Sequence, residues 1–269
     1  MITSIFKAYF LRDFRQNMSY RFAFFLDIMS VFVNATTFFF VAKLIGSAVI
    51  PSLENFGGAY FPFVLVGIAF ATYQTAGLTS FSQSLRQEQF MGTLESILVA
   101  PVSVGIFLAG SALWDFFYAT IEVVFYFLVS IWAFNLTFNH VNWETAAVSM
   151  ALTLSSFMGL GILAAAFILR FKKGNPVAWL LATLGELLGG VYFPTTILPG
   201  WLKKISDWTP MSHALQALRK SLLAGATFRE IQYHLIFLAL FSVIAWALGI
   251  GAFWLALKKS REDGSLGHY

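Results

Sequence analysis

The sequence predicts an all-α, polytopic membrane protein whose six transmembrane helices form a single domain over residues 1–269. Two observations support this prediction. Only 11% of the 269 residues are charged and 58% are hydrophobic, whereas about a quarter of an average soluble domain is charged. Six stretches are long and apolar enough to cross a bilayer, which takes about 20 apolar residues in a helix. The chain contains no cysteine, which excludes disulfides and thiolate metal sites.

The six apolar stretches differ in length, and the differences predict different roles. They cover residues 22–46, 58–80, 104–134, 146–169, 177–193 and 234–257. The third is long enough to tilt or to project beyond the hydrocarbon core. The fifth is short, and Pro194 and Pro199 follow it. Because proline does not continue a helix comfortably, we expect a re-entrant continuation there.

Basic residues are distributed unevenly between the loops, and this asymmetry predicts the orientation. Lys and Arg flank the spans on one side of the membrane, at Lys7, Arg12, Arg15, Arg21, Arg86, Arg170, Lys172, Lys173, Lys258, Lys259 and Arg261. The opposite loops, 47–57 and 135–145, contain neither residue type. Because basic loops stay in the cytoplasm, we expect a multi-pass protein of the inner (cytoplasmic) membrane with both termini cytoplasmic. The segment 194–233 is an exception, since it places several basic residues on the outer side.

Residues 1–21 are expected to form an interfacial helix that does not span. Its apolar side chains share one helical face, namely Ile2, Ile5, Phe6, Tyr9 and Phe10. Lys7, Arg12 and Arg15 lie towards the other face, where they can reach anionic lipid headgroups. A simple topology anchor explains the same pattern equally well.

A second amphipathic segment, residues 85–99, lies between the second and third spans. Read as one helix, it has an apolar arc that includes Phe90 and Leu94. Its polar arc consists of Glu88, Gly92 and Glu95. Either the lipid surface or a groove on a soluble partner must cover the apolar arc.

Two motifs connect these features to a known family. The stretch from Gln87 to Ser103 reads QEQFMGTLESILVAPVS. The stretch from Gly189 reads GGVYFP and is followed by LPGWL from Leu198 and by Thr209-Pro210. In this order and in these positions, they resemble the E-x-x-x-GTLE-x-L-L-x-x-P-x-S and SGVFFP…LPxWL…xPL blocks of the ABC type-2 exporter permeases. The resemblance covers essentially the whole chain. It is closer to the daunorubicin- and nodulation-factor-type permeases than to the polysaccharide ones, because residues 12–46 contain no proline.

The resemblance implies a permease subunit of an ATP-driven exporter that pairs with a second copy of itself and with a separate ATPase. Residues 85–99 would be the coupling helix, residues 1–21 the elbow helix, and residues 194–224 a re-entrant hairpin at the extracellular end of the route. The residues that it implies for coupling to the ATPase are Glu88, Gly92, Thr93, Leu94 and Glu95. The expected cargo is hydrophobic or amphiphilic: a drug, a lipid or a lipid-linked glycan.

Acidic residues within the spans are candidates for the translocation route. An ionised acid at mid-depth costs about 2.5–3.5 kcal/mol on insertion scales, so each needs a partner, a cavity or another subunit. Asp115 and Glu122 share one face of the third span. Two roles explain these acids equally well: a structural hydrogen bond to another helix, or a polar surface along the route. Glu186 is expected to face the route, whereas Asp27 is interpreted as an interfacial acid near Arg21. The other route residues that we predict are Phe193, Pro194, Pro199 and Trp201.

Several other functions lack the residues that they need. The sequence has no G-x-x-x-x-G-K-[ST] loop, so we expect no catalytic residue and no cofactor in this chain, with ATP and Mg bound by the partner ATPase. The four histidines show no metal-ligand spacing, and no basic patch is interleaved with aromatic residues for nucleic acid. The alternative is a proton-coupled secondary transporter that uses Asp115, Glu122 and Glu186, although no convincing inverted repeat supports it.

Overall fold

The computed structural model describes residues 2–46, 50–99, 104–138, 140–171 and 175–262. Within them the chain is helical and has no β-strand, which confirms the all-α prediction. The helices are α1 (Ile2–Ser19), α2 (Arg21–Ile45), α3 (Tyr60–Phe90), α4 (Leu94–Val99), α5 (Val104–Phe134), α6 (Trp143–Phe171), α7 (Pro176–Gly189), α8 (Gly200–Ser206), α9 (Pro210–Leu223) and α10 (Phe228–Glu262). Short 3₁₀ turns lie at Pro51–Phe56 and Thr195–Ile197. The predictions on the side chains of Ile2, Glu95 and Arg261, on residues 100–103, and on Lys172 and Lys173 fall outside the described part.

Five helices of the described chain, α2, α3, α5, α6 and α10, are long and apolar enough to cross a membrane. They match five of the six predicted spans. Helices α3 and α5 have 31 residues each, which makes each about 46 Å long. Because the hydrocarbon core is about 30 Å thick, both helices extend beyond it. The predicted span 58–80 is therefore only the first part of α3.

The sixth predicted span, 177–193, corresponds to a shorter helix. Helix α7 has 14 residues and is about 21 Å long. The Asn175 side chain caps its start by accepting a hydrogen bond from the Ala178 backbone N–H at 3.2 Å, and Pro176 occupies the first turn, where its missing N–H is not needed. The helix ends at Gly190, whose φ of 76° lies in the left-handed region that glycine enters without a steric penalty. A sixth crossing thus stays a prediction.

The segment 85–99 is not one continuous helix, contrary to the prediction. It consists of the end of α3, a turn and the short helix α4. Gly92 in the turn has a φ of 69°, a left-handed conformation that no helix residue adopts. The Thr93 backbone N–H donates to the Glu88 carbonyl at 3.0 Å and closes the turn. The apolar period continues across this break, which explains why periodicity alone predicted one helix.

Helix α3 is the centre of the bundle, and α2 is peripheral. In the span of α3, 72% of the residues are buried, compared with 11% in α2. Glycines bring α3, α6 and α10 close together. A Cβ atom added to Gly161 of α6 would lie 2.0 Å from the carbonyl oxygen of Gly77 in α3. One added to Gly249 of α10 would lie 2.5 Å from the carbonyl oxygen of Gly159 in α6. Close backbone approach of this kind packs helices in a membrane. Helices α1 and α2 pack on α5 at the side of this core.

A buried arginine attaches α9 to the rest of the bundle. Arg219 is 2% exposed and donates to the carbonyls of Phe63 (3.0 Å), Gly190 (2.9 Å) and Val191 (3.0 Å). Its Cζ atom also lies 3.4 Å from the centroid of the Phe63 ring. Arg219 therefore joins α3 to the carboxyl end of α7, where carbonyl dipoles favour a cation. Helices α8 and α9 form the helical part of the predicted 194–224 hairpin, whose depth in a membrane stays a prediction.

Candidate functional site

An open polar cleft of about 430 Å³ lies between α2, α3, α5 and α7. Helix α5 contributes residues at i, i+3, i+7 and i+11, a spacing that lines one helical face. These residues are Asp115, Tyr118, Glu122 and Tyr126. The facing side chains are Thr72, Thr75, Thr79 and Gln83 of α3, Asn34 of α2, Glu186 of α7 and Tyr192 just beyond it.

The polar cleft brings together the three acids that were predicted for the route. Asp115 and Glu122 share the cleft face of α5, and Glu186 joins them because α7 packs against α3. The Tyr192 hydroxyl donates to the Glu186 carboxylate at 2.8 Å. Glu122 makes no hydrogen bond or ion pair with the described residues, so its carboxylate faces the open cleft. A part for these acids in transport stays a prediction.

Asp27 is held beside the cleft by a tyrosine. The Tyr118 hydroxyl of α5 donates to Asp27 Oδ2 at 2.9 Å, and the ring of Phe24 packs edge-on against Tyr118 at 6.0 Å. Within the described residues, no ion pair joins Asp27 to Arg21 within 4.0 Å. The hydrogen bond from Tyr118 attaches α2 to α5, and an interfacial position for Asp27 stays a prediction.

The hairpin residues predicted for the route do not line the polar cleft. Pro194 lines a separate cavity at the end of the bundle opposite to α1. Pro199 immediately precedes α8, and Trp201 on that helix is 66% exposed. Phe193 is half-buried. The structure thus divides the predicted route residues into an acidic group in the cleft and a hairpin group elsewhere.

An ion pair joins α1 to the end of α3. Arg12 Nη1 donates to Glu88 Oε1 at 3.0 Å, and Arg12 Nε donates to Asp13 Oδ1 at 2.7 Å. The Thr93 hydroxyl donates to the other carboxylate oxygen of Glu88. Glu88 is only 6% exposed. Helix α1 and the turn at Thr93 therefore enclose the carboxylate of Glu88, and its predicted part in coupling to the ATPase stays a prediction.

The apolar face of α1 packs against protein. The ring of Tyr9 meets Phe107 at 5.9 Å, and the rings of Phe10 and Phe14 each meet Trp114 at 5.6 Å, all edge-on. Edge-to-face aromatic pairs at such distances are favourable beyond their buried area. Helix α1 is thus docked on α5, while Lys7 and Arg15 remain exposed.

The turn between α3 and α4 presents apolar side chains to the outside. Phe90 is 60% exposed, Met91 59% and Val99 86%, and we call these three residues the turn surface. Leu94, by contrast, is buried, so it anchors α4, and its predicted part in coupling stays a prediction. Its neighbours in the core are Phe81, Leu85, Phe107 and Leu108. Gly92 and Thr93 are exposed beside the turn surface.

Several residues of the site were missed by reasoning from the sequence. Thr72, Thr75 and Thr79 recur at i, i+3 and i+7 of α3, a signal that would have identified the cleft face of that helix. Tyr118 and Tyr126 fall within an aromatic-rich stretch that gave no such signal, because their neighbours in sequence are also aromatic.

The comparisons with known proteins agree with the motifs. A profile of the ABC-2 type transporter family matches residues 2–223. The chain is similar to the inner membrane transport permease YadH of Escherichia coli K12, with 24% identity over 223 residues that cover 80% of this chain and 84% of YadH. It is also similar to the linearmycin resistance permease protein LnrN of Bacillus subtilis 168, with 26% identity over 164 residues that cover 60% of this chain and 41% of LnrN. The chain belongs to the ABC-2 type transporter family and is a multi-pass membrane permease of an ABC transporter.

Proposed function

We propose that this chain and a second copy of itself form the translocation route of an ATP-driven exporter in the inner membrane. The polar cleft carries the proposal. In a single chain, Asp115, Glu122 and the threonines of α3 would face lipid through the open side of the cleft. The hydroxyls of Thr72 and Thr79 donate to carbonyls of their own helix, so the cost falls mainly on the acids, at about 2.5–3.5 kcal/mol for each ionised acid. A second copy that covers the cleft converts it into an enclosed polar route.

The low burial of two helices supports the homodimer. Only 11% of the span of α2 and 28% of that of α5 are buried, compared with 72% of that of α3. The span of α10 is also sparsely buried, at 22%, but α10 does not line the polar cleft. Helices α2 and α5 form the rim of the polar cleft. Both therefore have surface available for a partner chain on the side where the cleft opens, and we assign the dimer interface to them.

A separate ATPase that binds ATP and Mg would supply the energy. The turn surface and α1 lie at the same end of the bundle, joined by the Arg12–Glu88 ion pair. The asymmetry of the basic residues puts this end, with both termini, in the cytoplasm. An ATPase that contacts Phe90, Met91 and Val99 would move α4, and Glu88 would transmit that movement to α1 and α3 together. Gly92 and Thr93 would contribute to coupling by fixing the conformation of the turn between α3 and α4.

The cargo that we propose is hydrophobic or amphiphilic: a drug, a lipid or a lipid-linked glycan. The cleft combines polar residues with the rings of Tyr118, Tyr126 and Tyr192, which suits a molecule with both polar and apolar parts. The similarity to LnrN, a linearmycin resistance permease, supports a drug among these three classes.

Acidic substitutions on the turn surface test the contact with the ATPase. In a preparation co-expressed with the ATPase, Met91→Asp and Val99→Asp are each expected to lower co-purification and ATP hydrolysis about tenfold or more, because a carboxylate enters an apolar contact. Ile197→Asp is the matched control, since Ile197 is 60% exposed at the opposite end of the bundle. Retention of full binding and hydrolysis by both turn variants would place the ATPase elsewhere.

Proton-coupled transport is the second candidate, and the clustering of Asp115, Glu122 and Glu186 in one cleft favours it. It predicts uptake in vesicles that contain this chain alone, driven by a pH gradient and abolished by a protonophore. The ATP-driven exporter predicts transport only when the ATPase and ATP are present. Vesicles prepared with and without the ATPase distinguish the two mechanisms directly.

A further inference from the structure

A second cavity, of about 420 Å³, lies at the end of the bundle opposite to α1. We call it the basic cavity. The turn Pro51–Phe56, the start of α3, the α8–α9 hairpin and the start of α10 enclose it. Its ionisable lining residues are Lys203, Asp207, His213, Arg219, Lys220, Tyr233 and His234. Of the described residues that line it, Asp207 alone is acidic, so positive charge is in excess.

The three cations of the basic cavity form no close ion pair with a carboxylate of the described residues, although the Glu230 carboxylate interacts electrostatically with Lys220. Within the described residues, no carboxylate oxygen lies within 4.0 Å of Lys203, Arg219 or Lys220. Three of the five N–H groups of Arg219 donate to backbone carbonyls, which leaves two without an acceptor in the described contacts. A buried charge is costly unless it is paired and hydrogen-bonded. An anion in the cavity would provide that pairing.

The two histidines form a neutral pair whose tautomers follow from geometry. His213 Nε2 lies 2.9 Å from the Asp207 carbonyl oxygen, which can only accept, so Nε2 carries a hydrogen. His213 Nδ1 lies 2.9 Å from His234 Nδ1. In the neutral pair His213 Nδ1 is therefore the acceptor and His234 Nδ1 the donor. Since the pair adds no charge, the lysines and Arg219 determine the potential of the cavity.

We propose that the basic cavity binds an oxyanion of the phosphate class. A phosphate group offers several acceptor oxygens to ammonium and guanidinium donors, and such charge-assisted bonds are strong. Trp201 in the first turn of α8 and Trp208 just after its end are both exposed, and tryptophan is typical of the lipid headgroup level. Phospholipid headgroups therefore supply phosphate at the mouth of the cavity, and free phosphate shares the same chemistry. Binding requires neither ATP nor the ATPase, so it is independent of the transport mechanism.

Paired charge-removal variants test this site in the full-length chain in neutral detergent. The first arm follows the melting temperature as dihexanoyl phosphatidylglycerol or dihexanoyl phosphatidylcholine is added. The second arm adds inorganic phosphate or, at equal ionic strength, sodium chloride. Lys203→Gln combined with Lys220→Gln removes two cavity cations. Lys204→Gln combined with Arg229→Gln is the matched control, because neither residue lines the basic cavity and both are exposed.

We expect the phosphatidylglycerol to stabilise the wild-type chain and the Lys204/Arg229 control variant. The Lys203/Lys220 variant should bind this lipid with an apparent affinity lower by about tenfold or more. A response to this lipid alone identifies a headgroup site, and a response to inorganic phosphate identifies a site for the free anion. Responses equal to those with phosphatidylcholine and chloride, or an equal loss in both variant pairs, would overturn the proposal. A melting transition without ligand shows that each variant is folded. Arg219→Lys, which keeps the positive charge but loses the several donors of the planar guanidinium, provides a second variant.

Discussion

At the scale of single residues, the Arg12–Glu88 ion pair is the contact that joins α1 to α3. The Glu88 carboxylate receives a guanidinium on one oxygen and the Thr93 hydroxyl on the other, and it is nearly inaccessible. A substitution at Glu88 therefore acts first on how α1 is held, and any effect on an ATPase follows from that. Loss of coupling in a Glu88 variant does not by itself show contact with a partner.

Glu88→Gln is expected to destabilise the protein by about 1.5–3 kcal/mol, since it removes hydrogen bonds that involve a charged group. Thermal unfolding in detergent measures this loss. In a double-mutant cycle with Arg12→Gln, the double variant should lose less than the sum of the single variants. Glu262→Gln is the control, because Glu262 pairs with Lys258 at 4.0 Å with both side chains exposed, and such pairs contribute about 0–1 kcal/mol. Additive losses would argue against a direct Arg12–Glu88 interaction.

His213 predicts a dependence of stability on pH. Burial lowers the pKa of His213 below its ordinary value of 6.5, so the folded protein takes up this proton less readily than the unfolded chain. The contribution of His213 to stability is therefore complete above about pH 6.5 and is lost as the pH falls below that value. We expect the melting temperature to decrease between about pH 7.5 and about pH 5, and His213→Asn to reduce this decrease. Parallel pH profiles for the two proteins would contradict the assignment.

At the scale of elements, the turn at Gly92 separates α3 from α4. Gly92→Ala is expected to cost about 1–2 kcal/mol, since an L-residue is strained in the left-handed region. No atom lies within 4 Å of the added Cβ, so the cost comes from the backbone alone. Gly105→Ala is the control: its Cβ also meets nothing within 4 Å, and it should be neutral or stabilising by at most about 1 kcal/mol. Equal melting temperatures for the two variants would argue against a left-handed turn.

Helical periodicity predicts the long helices well because each buries a continuous apolar face over many turns. Periodicity does not detect a helix break where a single residue ends the helix and the apolar spacing continues unchanged. Phe90 and Leu94 keep the apolar spacing across Gly92, and the apolar run 177–193 continues past Gly190. The spacing of Asp115 and Glu122 predicts their shared face. Glu186 and Asn34 line the same cleft because of how α7 and α2 pack. Local sequence patterns do not predict that packing.

At the scale of the whole molecule, polar groups concentrate in two places. The polar cleft opens between the sparsely buried α2 and α5, and the basic cavity lies at the end opposite to α1. The core of α3, α6 and α10 connects them through close helix contacts. The polar cleft thus opens beside α2, which is the least buried of the five candidate spans among the described residues.

Because the chain contains no cysteine, single-cysteine variants report the dimer interface without background reactions. Asn34→Cys and Thr75→Cys introduce thiols at exposed positions on α2 and α3 that line the polar cleft, whereas Val243→Cys introduces one on the exposed surface of α10. In native membranes treated with a bifunctional maleimide, we expect a band of twice the chain mass for the first two variants and not for the third. We proposed that a second copy covers the cleft and shields its acids from lipid. The position of the crosslinks tests this proposal, and the mass of the band tests the stoichiometry. Crosslinking at Val243 alone would move the interface to α10 and leave the acids of the cleft to be shielded in some other way.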